Sequence, residues 1–168
     1  IYKKTDSALR GNVGAELGAL LAASGEKALP FLPAYPQIDR CTRGGVHYIE
    51  GRPVAESVFG IDPFEPVRHS DIAGLIGAQS GVPVHSLPAD APAPEGQGIY
   101  VYDASSLADL ERAGQTLAAA GRLHISAGCA GFGAVLPRLL GLGRAQQPPK
   151  PRLDPRLLVV CGSVNPIT

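Results

Sequence analysis

Strand-like and helix-like segments alternate through the second half of this 168-residue chain, and this alternation constrains the fold more than any other feature. Short apolar runs that follow glycine or precede a polar turn predict strands. Between two of these runs, Ser105 or Ser106 is placed to cap a helix that continues to about Ala120. The predicted strands are residues 82–87, 99–102 and 123–126. Because alternating strands and helices are typical of parallel sheets, we predict an α/β fold: a parallel-dominated, Rossmann-like, three-layer structure with helices on both faces.

The remaining segments fit the same architecture, with one excursion. Alternating residues at 46–49 and a turn at 50–51 predict a hairpin insertion within residues 40–53. Ser70 and Asp71 can cap a helix that runs to about residue 79. The other predicted elements are helices at 11–23 and from 131 to about 140, strands at 28–32 and 157–161, and a loop at 88–98.

A dense group of polar side chains precedes the first predicted helix. Its members are Lys4, Asp6, Ser7, Arg10 and Asn12. A helix N-terminus suits an anion, and a guanidinium can add a two-point contact to a carboxylate. The carboxylate and the hydroxyl can bind sugar hydroxyl groups. The alternative is that Asp6 or Ser7 only caps the helix, which explains one of these residues but not the group. The segment therefore predicts a site for a small polyhydroxylated anion.

The same segment resembles a family motif. Residues 4–12, Lys-Thr-Asp-Ser-Ala-Leu-Arg-Gly-Asn, are similar to the Lys-x-Asp-Ser-Thr-Leu-Arg-Gly-Asn motif of the four-carbon acid sugar kinases, with Ala8 in place of the usual threonine. These enzymes phosphorylate tetronates such as threonate, erythronate and their oxo forms. Four further segments resemble the family in the same order along the chain: residues 33–36, 45–54, 62–70 and 161–168.

The resemblance implies an activity and a set of site residues. It implies an ATP-dependent sugar-acid kinase that uses Mg²⁺ and phosphorylates a tetronate hydroxyl. The implied substrate-binding residues are Lys4, Asp6, Ser7, Arg10 and Asn12. Asp6 is the candidate catalytic base, and an acidic pair that the family carries upstream of this segment is its rival. Gly162 and Ser163 would make the first contact with the nucleotide.

The resemblance also implies a division into domains. Residues 1–140 would form the sugar-acid-binding domain without its N-terminal part, 141–155 a linker, and 156–168 the first strand of a nucleotide-binding domain whose remainder is missing. We therefore expect the full-length protein to be an enzyme and this chain alone to be inactive.

Two further candidates follow predicted strands. Asp103 can orient a substrate hydroxyl or simply begin the next helix. The Gly128-Cys129-Ala130-Gly131 turn can cradle an anion or only permit close packing, and it is not a P-loop because no Lys-Ser/Thr pair follows.

Composition excludes several other functions. The formal net charge is zero, so the chain offers no basic surface for nucleic acid or for a membrane. No apolar run is long enough to span a bilayer, the first residues do not resemble a signal peptide, and we expect a cytoplasmic location. Three scattered cysteines and four scattered histidines predict neither disulfides nor a zinc site, and the histidines are interpreted as solvated or partly buried.

Two alternative functions stay open. The chain could be a non-catalytic Rossmann-like module that binds a small organic acid. Some relatives of the kinases have been called type III secretion effectors, but nothing here resembles a secretion signal. The expected partners are a sugar acid and ATP, and a homo-oligomer stays open.

Overall fold

The computed structural model describes residues 1–142 together with residues 156, 158 and 162. In chain order, the strands are β1 (Tyr2–Lys4), β2 (Ala28–Leu32), β3 (Arg40–Arg43), β4 (Val46–Ile49), β5 (Arg52–Pro53), β6 (Val84–Leu87), β7 (Gly98–Tyr102) and β8 (Ser126–Gly128). The helices are α1 (Val13–Ser24), α2 (Ile72–Gly77), α3 (Leu107–Ala119), α4 (Ala130–Gly133) and α5 (Leu136–Leu139).

Within the described residues, five parallel strands form the main sheet, in the order β1-β8-β2-β7-β6. Side chains on successive residues point to opposite faces. Leu29 and Phe31 of β2 thus join a core cluster with α1 and α2, whereas Leu32 joins a second cluster with α3, α4 and α5. Both clusters are well buried, so the predicted three-layer α/β architecture with helices on both faces is confirmed.

Most predicted boundaries agree with the structure to within two residues, but one strand and one helix differ by more. The strand predicted at 123–126 begins only at Ser126, where the chain comes into register with Tyr2 of β1. The last predicted helix is instead two short helices, α4 and α5. Pro137 lies in the first turn of α5, and a proline has no N–H to continue a helical ladder from α4. The strand predicted at 157–161 lies outside the described residues, apart from residue 158.

A second, antiparallel sheet of β3, β4 and β5 (the hairpin sheet) confirms the predicted hairpin insertion. It is attached to the carboxyl edge of the main sheet. The Asp103 carboxylate, just after β7, accepts hydrogen bonds from the amides of Gly44 at 2.6 Å and Gly45 at 3.0 Å. The Thr42 amide donates to the Ala104 carbonyl at 2.9 Å. Asp103 therefore anchors the hairpin, and Ser106 caps α3 in a capping box with Asp109.

Among the residues that the structure describes, no helix is long and apolar enough to cross a membrane.

Candidate functional site

Asp6 and Arg10 form a two-point ion pair at the carboxyl end of β1. Arg10 donates from Nε to Oδ2 of Asp6 at 2.9 Å and from Nη2 to Oδ1 at 3.1 Å. Both side chains are partly exposed, so their unused hydrogen-bonding capacity faces solvent. A guanidinium carries five N–H donors, and this pair uses two of them. Arg10 can therefore bind a further anion without first leaving Asp6.

The backbone between the two residues is folded back on itself. Leu9 has a φ of 62°, which is uncommon for a residue with a branched side chain, and its side chain is buried in the core. The amides of Ala8 and Arg10 both donate to Oδ2 of Asp6, each at 3.2 Å. The burial of Leu9 and these hydrogen bonds hold the strained turn in place. The segment of residues 4–12, called the polar loop below, thus holds its carboxylate in a fixed orientation.

The protonation state of Asp6 follows from these contacts. Partial burial opposes ionisation of Asp6, but hydrogen bonds from the side chain and main chain of Arg10, together with its positive charge, outweigh it. The pKa of Asp6 is therefore lowered from its ordinary value. At neutral pH the carboxylate is ionised and acts as a hydrogen-bond acceptor.

Ser7, the next residue, is held by the hairpin sheet through two contacts. Arg40 donates from Nη1 to the Ser7 hydroxyl oxygen. His47 donates from Nε2 to the Ser7 carbonyl at 2.9 Å, since a carbonyl can only accept. Nδ1 of His47 is then an acceptor, and the Thr42 hydroxyl donates to it at 3.1 Å. The hairpin sheet thus fixes both the backbone and the side chain of Ser7.

His47 is neutral in the folded protein. Its side chain is fully buried, and burial lowers its pKa to about 4. The hydrogen bond to Ser7 and the charge of Asp6 work in the opposite direction, and the charge of Arg40 adds to the lowering. The sequence-based interpretation of the histidines as solvated or partly buried therefore does not fit His47. His47 lies two residues before Ile49 on the same strand, so both side chains point to the same face, and both are buried. This spacing was the sequence signal that could have predicted the burial of His47.

Two adjoining cavities open on the polar loop, with volumes of about 300 and 410 Å³. Arg10 and Gly11 line both. Asn12 lines the smaller cavity, together with residues 65–69 and α2. Asp6 lines the larger one, together with Asp62, Phe64 and Glu65. Each cavity is large enough for a small organic acid.

Gln79, just after α2, provides a cap for α1. Its side-chain oxygen accepts from the Gly14 amide at 2.7 Å, and its nitrogen donates to the Gly11 carbonyl at 3.1 Å. Asn12, the residue that begins the helix, makes no side-chain capping bond. One free N–H of the helix start is thus satisfied from within the protein. Nothing in the local sequence indicated Gln79, because it lies far along the chain.

The remaining predicted residues are placed as follows. Lys4 ends β1 beside Gly128 and lines neither cavity. Lys3 pairs with Glu16 of α1. Gly162 is exposed, and Ser163 lies outside the described residues. Cys129 caps α4 and is buried, which raises the pKa of its thiol and disfavours a nucleophilic role.

The described part of the chain contains no group of three or more histidine, cysteine or acidic residues that could hold a metal ion. The fold and the site define an α/β domain with a guanidinium–carboxylate pair beyond the carboxyl ends of its parallel strands, which is where ligands bind in open α/β sheets.

The chain belongs to the family described as the sugar-binding N-terminal domain, which matches residues 1–136. A relative from Salmonella typhimurium named D-threonate kinase is 34% identical over all of this chain and 41% of its own length. Another D-threonate kinase, from Bordetella bronchiseptica, is 36% identical over 88% of this chain and 38% of its own length. The chain thus spans about two fifths of the length of these curated relatives.

A solved structure from Bordetella bronchiseptica superimposes on this chain with a TM-score of 0.71 at 34% identity, over 88% of this chain and 38% of that chain. It is described as a domain of unknown function with bound citrate, in the form of a domain-swapped dimer. The similarity confirms the family and the fold.

Proposed function

We propose that this chain is the sugar-acid-binding part of an ATP-dependent kinase that phosphorylates a hydroxyl group of a four-carbon sugar acid. The observation that carries the proposal is the ion pair of Asp6 and Arg10 in the lining of the larger cavity. A tetronate has one carboxylate and several hydroxyl groups, and this pair offers a matching donor fork and acceptor. The D-threonate kinases among the relatives support the same substrate class.

Each of the five predicted substrate-binding residues of the polar loop has a proposed role. Arg10 binds the substrate carboxylate with its unused N–H groups. Ser7 and Asn12 bind hydroxyl groups, and Lys4 contributes positive charge from the end of β1. Asp6 accepts a hydrogen bond from the hydroxyl that is phosphorylated, and it is the candidate base for its proton. While Arg10 holds Asp6, the carboxylate is a weak base, so its main contribution is to orient the hydroxyl group.

The cofactors belong to a different part of the protein in this proposal. A kinase gains most of its rate from the positioning of donor and acceptor and from electrostatic stabilisation of the phosphates, which Mg²⁺ supplies when bound with ATP. The described residues contain no group of three or more histidine, cysteine or acidic side chains that could hold a metal ion, and the kinases among the relatives are more than twice as long as this chain. We therefore assign ATP and Mg²⁺ to the portion that the longer relatives have in addition, with Gly162 and Ser163 near its start, and derive no step through them.

A coupled assay of ADP formation tests the proposal. The full-length protein should turn over ATP with D-threonate or D-erythronate, whereas the 168-residue chain alone should not. Mg²⁺-dependent turnover by the isolated chain would show that the nucleotide site is misplaced. An absence of turnover with every four-carbon acid would overturn the kinase proposal.

A second candidate is a module that binds an organic acid without chemistry. The citrate bound in the structure from Bordetella bronchiseptica favours it, since citrate binds there without being a sugar. Calorimetry separates the two: equal affinity for citrate and D-threonate, with no turnover of either by the full-length protein, would support the module.

Location and assembly complete the proposal. We place the reaction in the cytoplasm, where ATP is available. The domain-swapped dimer of the Bordetella protein supports self-association of the full-length protein, which light scattering coupled to size-exclusion chromatography would measure.

A further inference from the structure

Two arginines converge on one aromatic ring beside the polar loop. The guanidinium carbon of Arg10 lies 5.3 Å from the centre of the Phe59 ring, and that of Arg40 lies 5.1 Å from it. Both distances are within the range of a cation–π contact. The three residues come from three separate segments: the polar loop, β3 and the residues after β5. The fold therefore brings two positive charges together at one place.

The two charges are compensated unequally. Arg10 is paired with the Asp6 carboxylate, and the charges of Asp62 and Glu65 also act on it. Arg40 is half-buried, and its hydrogen bond goes to the neutral hydroxyl of Ser7. Within the described part of the chain, no carboxylate forms an ion pair with Arg40. Arg40 is thus a half-buried cation without a carboxylate partner, and a second cation lies next to it. This arrangement costs free energy unless an anion binds.

The contact with Ser7 also sets the direction of the hydroxyl hydrogen bond. Because Arg40 donates to the Ser7 oxygen, the hydroxyl proton is free to donate elsewhere. Arg40 and the Ser7 hydroxyl thus present donors side by side. A carboxylate has two oxygens that can accept from two such neighbouring donors.

We propose that Arg40 is a second carboxylate-binding residue of the site, and that Phe59 is the positioning residue that holds both guanidiniums. This inference rests on the proposed function, since the ligand is the carboxylate of the four-carbon acid. Arg40 and Phe59 are not in the walls of the two cavities, and they are connected to the site by their contacts with Ser7 and Arg10. A monoanion is favoured over a phosphate dianion, because the carboxylates of Asp6, Asp62 and Glu65 line the larger cavity.

The test uses the full-length protein with D-erythronate and its neutral amide as a matched pair of ligands. Arg40→Gln should weaken binding of the acid by about tenfold or more and leave binding of the amide nearly unchanged, because only the acid carries the charge. Arg40→Lys should retain part of the preference for the acid, since a point charge lacks the planar fork.

Arg43 supplies the matched control. It lies on the same strand as Arg40 but stacks over Tyr48 at 4.6 Å, whereas Arg40 contacts Ser7 and Phe59. Arg43→Gln should leave the preference for the acid within about twofold of wild type. Phe59→Leu retains apolar volume but removes the ring face, and it should reduce the preference for the acid several-fold.

The outcomes separate this inference from the proposed function. If the wild-type protein binds no four-carbon acid, the proposed function fails. If it binds the acid and Arg40→Gln binds equally well, only the inference fails. An equal loss of acid and amide binding in Arg40→Gln would mean that Arg40 has a structural role only, which also overturns the inference.

Discussion

His47 donates a hydrogen bond of 2.9 Å to the main-chain carbonyl of Ser7, and this bond joins the hairpin sheet to the polar loop. The imidazole is fully buried, so no water can replace it as a donor. His47→Leu would leave the Ser7 carbonyl and the Thr42 hydroxyl without this partner. We expect a loss of roughly 1–3 kcal/mol in the free energy of unfolding, measured by urea denaturation. His47→Gln places an amide N–H near the position of Nε2 and should recover part of the loss. An unchanged stability in His47→Leu would contradict the anchoring role.

The same histidine should make stability depend on pH. Its pKa is about 4 in the folded protein against an ordinary value of 6.5. The unfolded chain therefore binds a proton between these values that the folded chain excludes. The free energy of unfolding therefore falls by about 3 kcal/mol through His47 as the pH decreases from 6.5 toward 4. Above pH 6.5 this loss is absent. Urea titrations at several pH values should show this slope in wild type and a reduced slope in His47→Gln. Identical slopes would show that His47 titrates normally.

Arg10→Lys should weaken binding of the sugar acid by about tenfold, because an ammonium group cannot make the two-point contact of a guanidinium. Calorimetry with D-threonate on the full-length protein measures the effect. Arg112→Lys is the control: Arg112 also pairs with a carboxylate, that of Asp109, but lines neither cavity at the polar loop. Comparable losses in both variants would point to a general charge effect instead of a site.

Gln79→Ala should destabilise the start of α1. The side chain satisfies the Gly14 amide and the Gly11 carbonyl, so its removal should cost about 1 kcal/mol, as for the loss of other helix caps. Hydrogen exchange at Gly14 should become faster. Gln115→Ala, at an exposed position of α3, should change stability by less than about 0.5 kcal/mol. Equal exchange at Gly14 in wild type and Gln79→Ala would argue against capping.

Gly14→Ala should force α1 and α2 apart. A Cβ at this position would lie 2.6 Å from the carbonyl oxygen of Ile76, which is backbone and cannot move aside cheaply. We expect a loss of about 1–3 kcal/mol, seen as a lower thermal midpoint. Gly77→Ala has open space around its Cβ and should instead stabilise α2 by about 0.4–1 kcal/mol. The opposite ranking of the two variants would refute the close contact.

The layers of the fold could be predicted from local sequence patterns. The contacts between the site residues and distant segments of the chain could not. Capping was predicted for Ser105 or Ser106 and for Ser70 with Asp71, and the caps are Ser106 and Asp71; the local sequence could indicate them because a capping residue acts on its own helix. Asp6 and Arg10 were predicted as members of one polar group because they are close in the sequence, and the ion pair between them is formed within one turn of the chain. These are short-range interactions, and sequence spacing reports them directly.

Arg40, Phe59 and Gln79 were missed for the opposite reason. Each contacts the polar loop from a distant segment, and the sequence does not show which distant residues fold together. The strand predicted at 123–126 was misplaced because pairing with β1, not local hydrophobicity, sets where β8 begins. Assigning Asp103 to a hairpin anchor likewise required the tertiary structure.

The position of β8 between β1 and β2 has a consequence for how the chain folds as it is synthesised. β1 and β2 are made first, but neither pairs with the other; each pairs with β8, which leaves the ribosome about a hundred residues later. Until then β1 has no partner among the described strands, and one edge of β2 is open. Pairings between such distant segments form slowly, because the entropy of closing the chain is lost before any contact is gained. The nascent chain therefore exposes unpaired strand edges during translation, and a ribosome-associated chaperone that shields them should raise its folding yield.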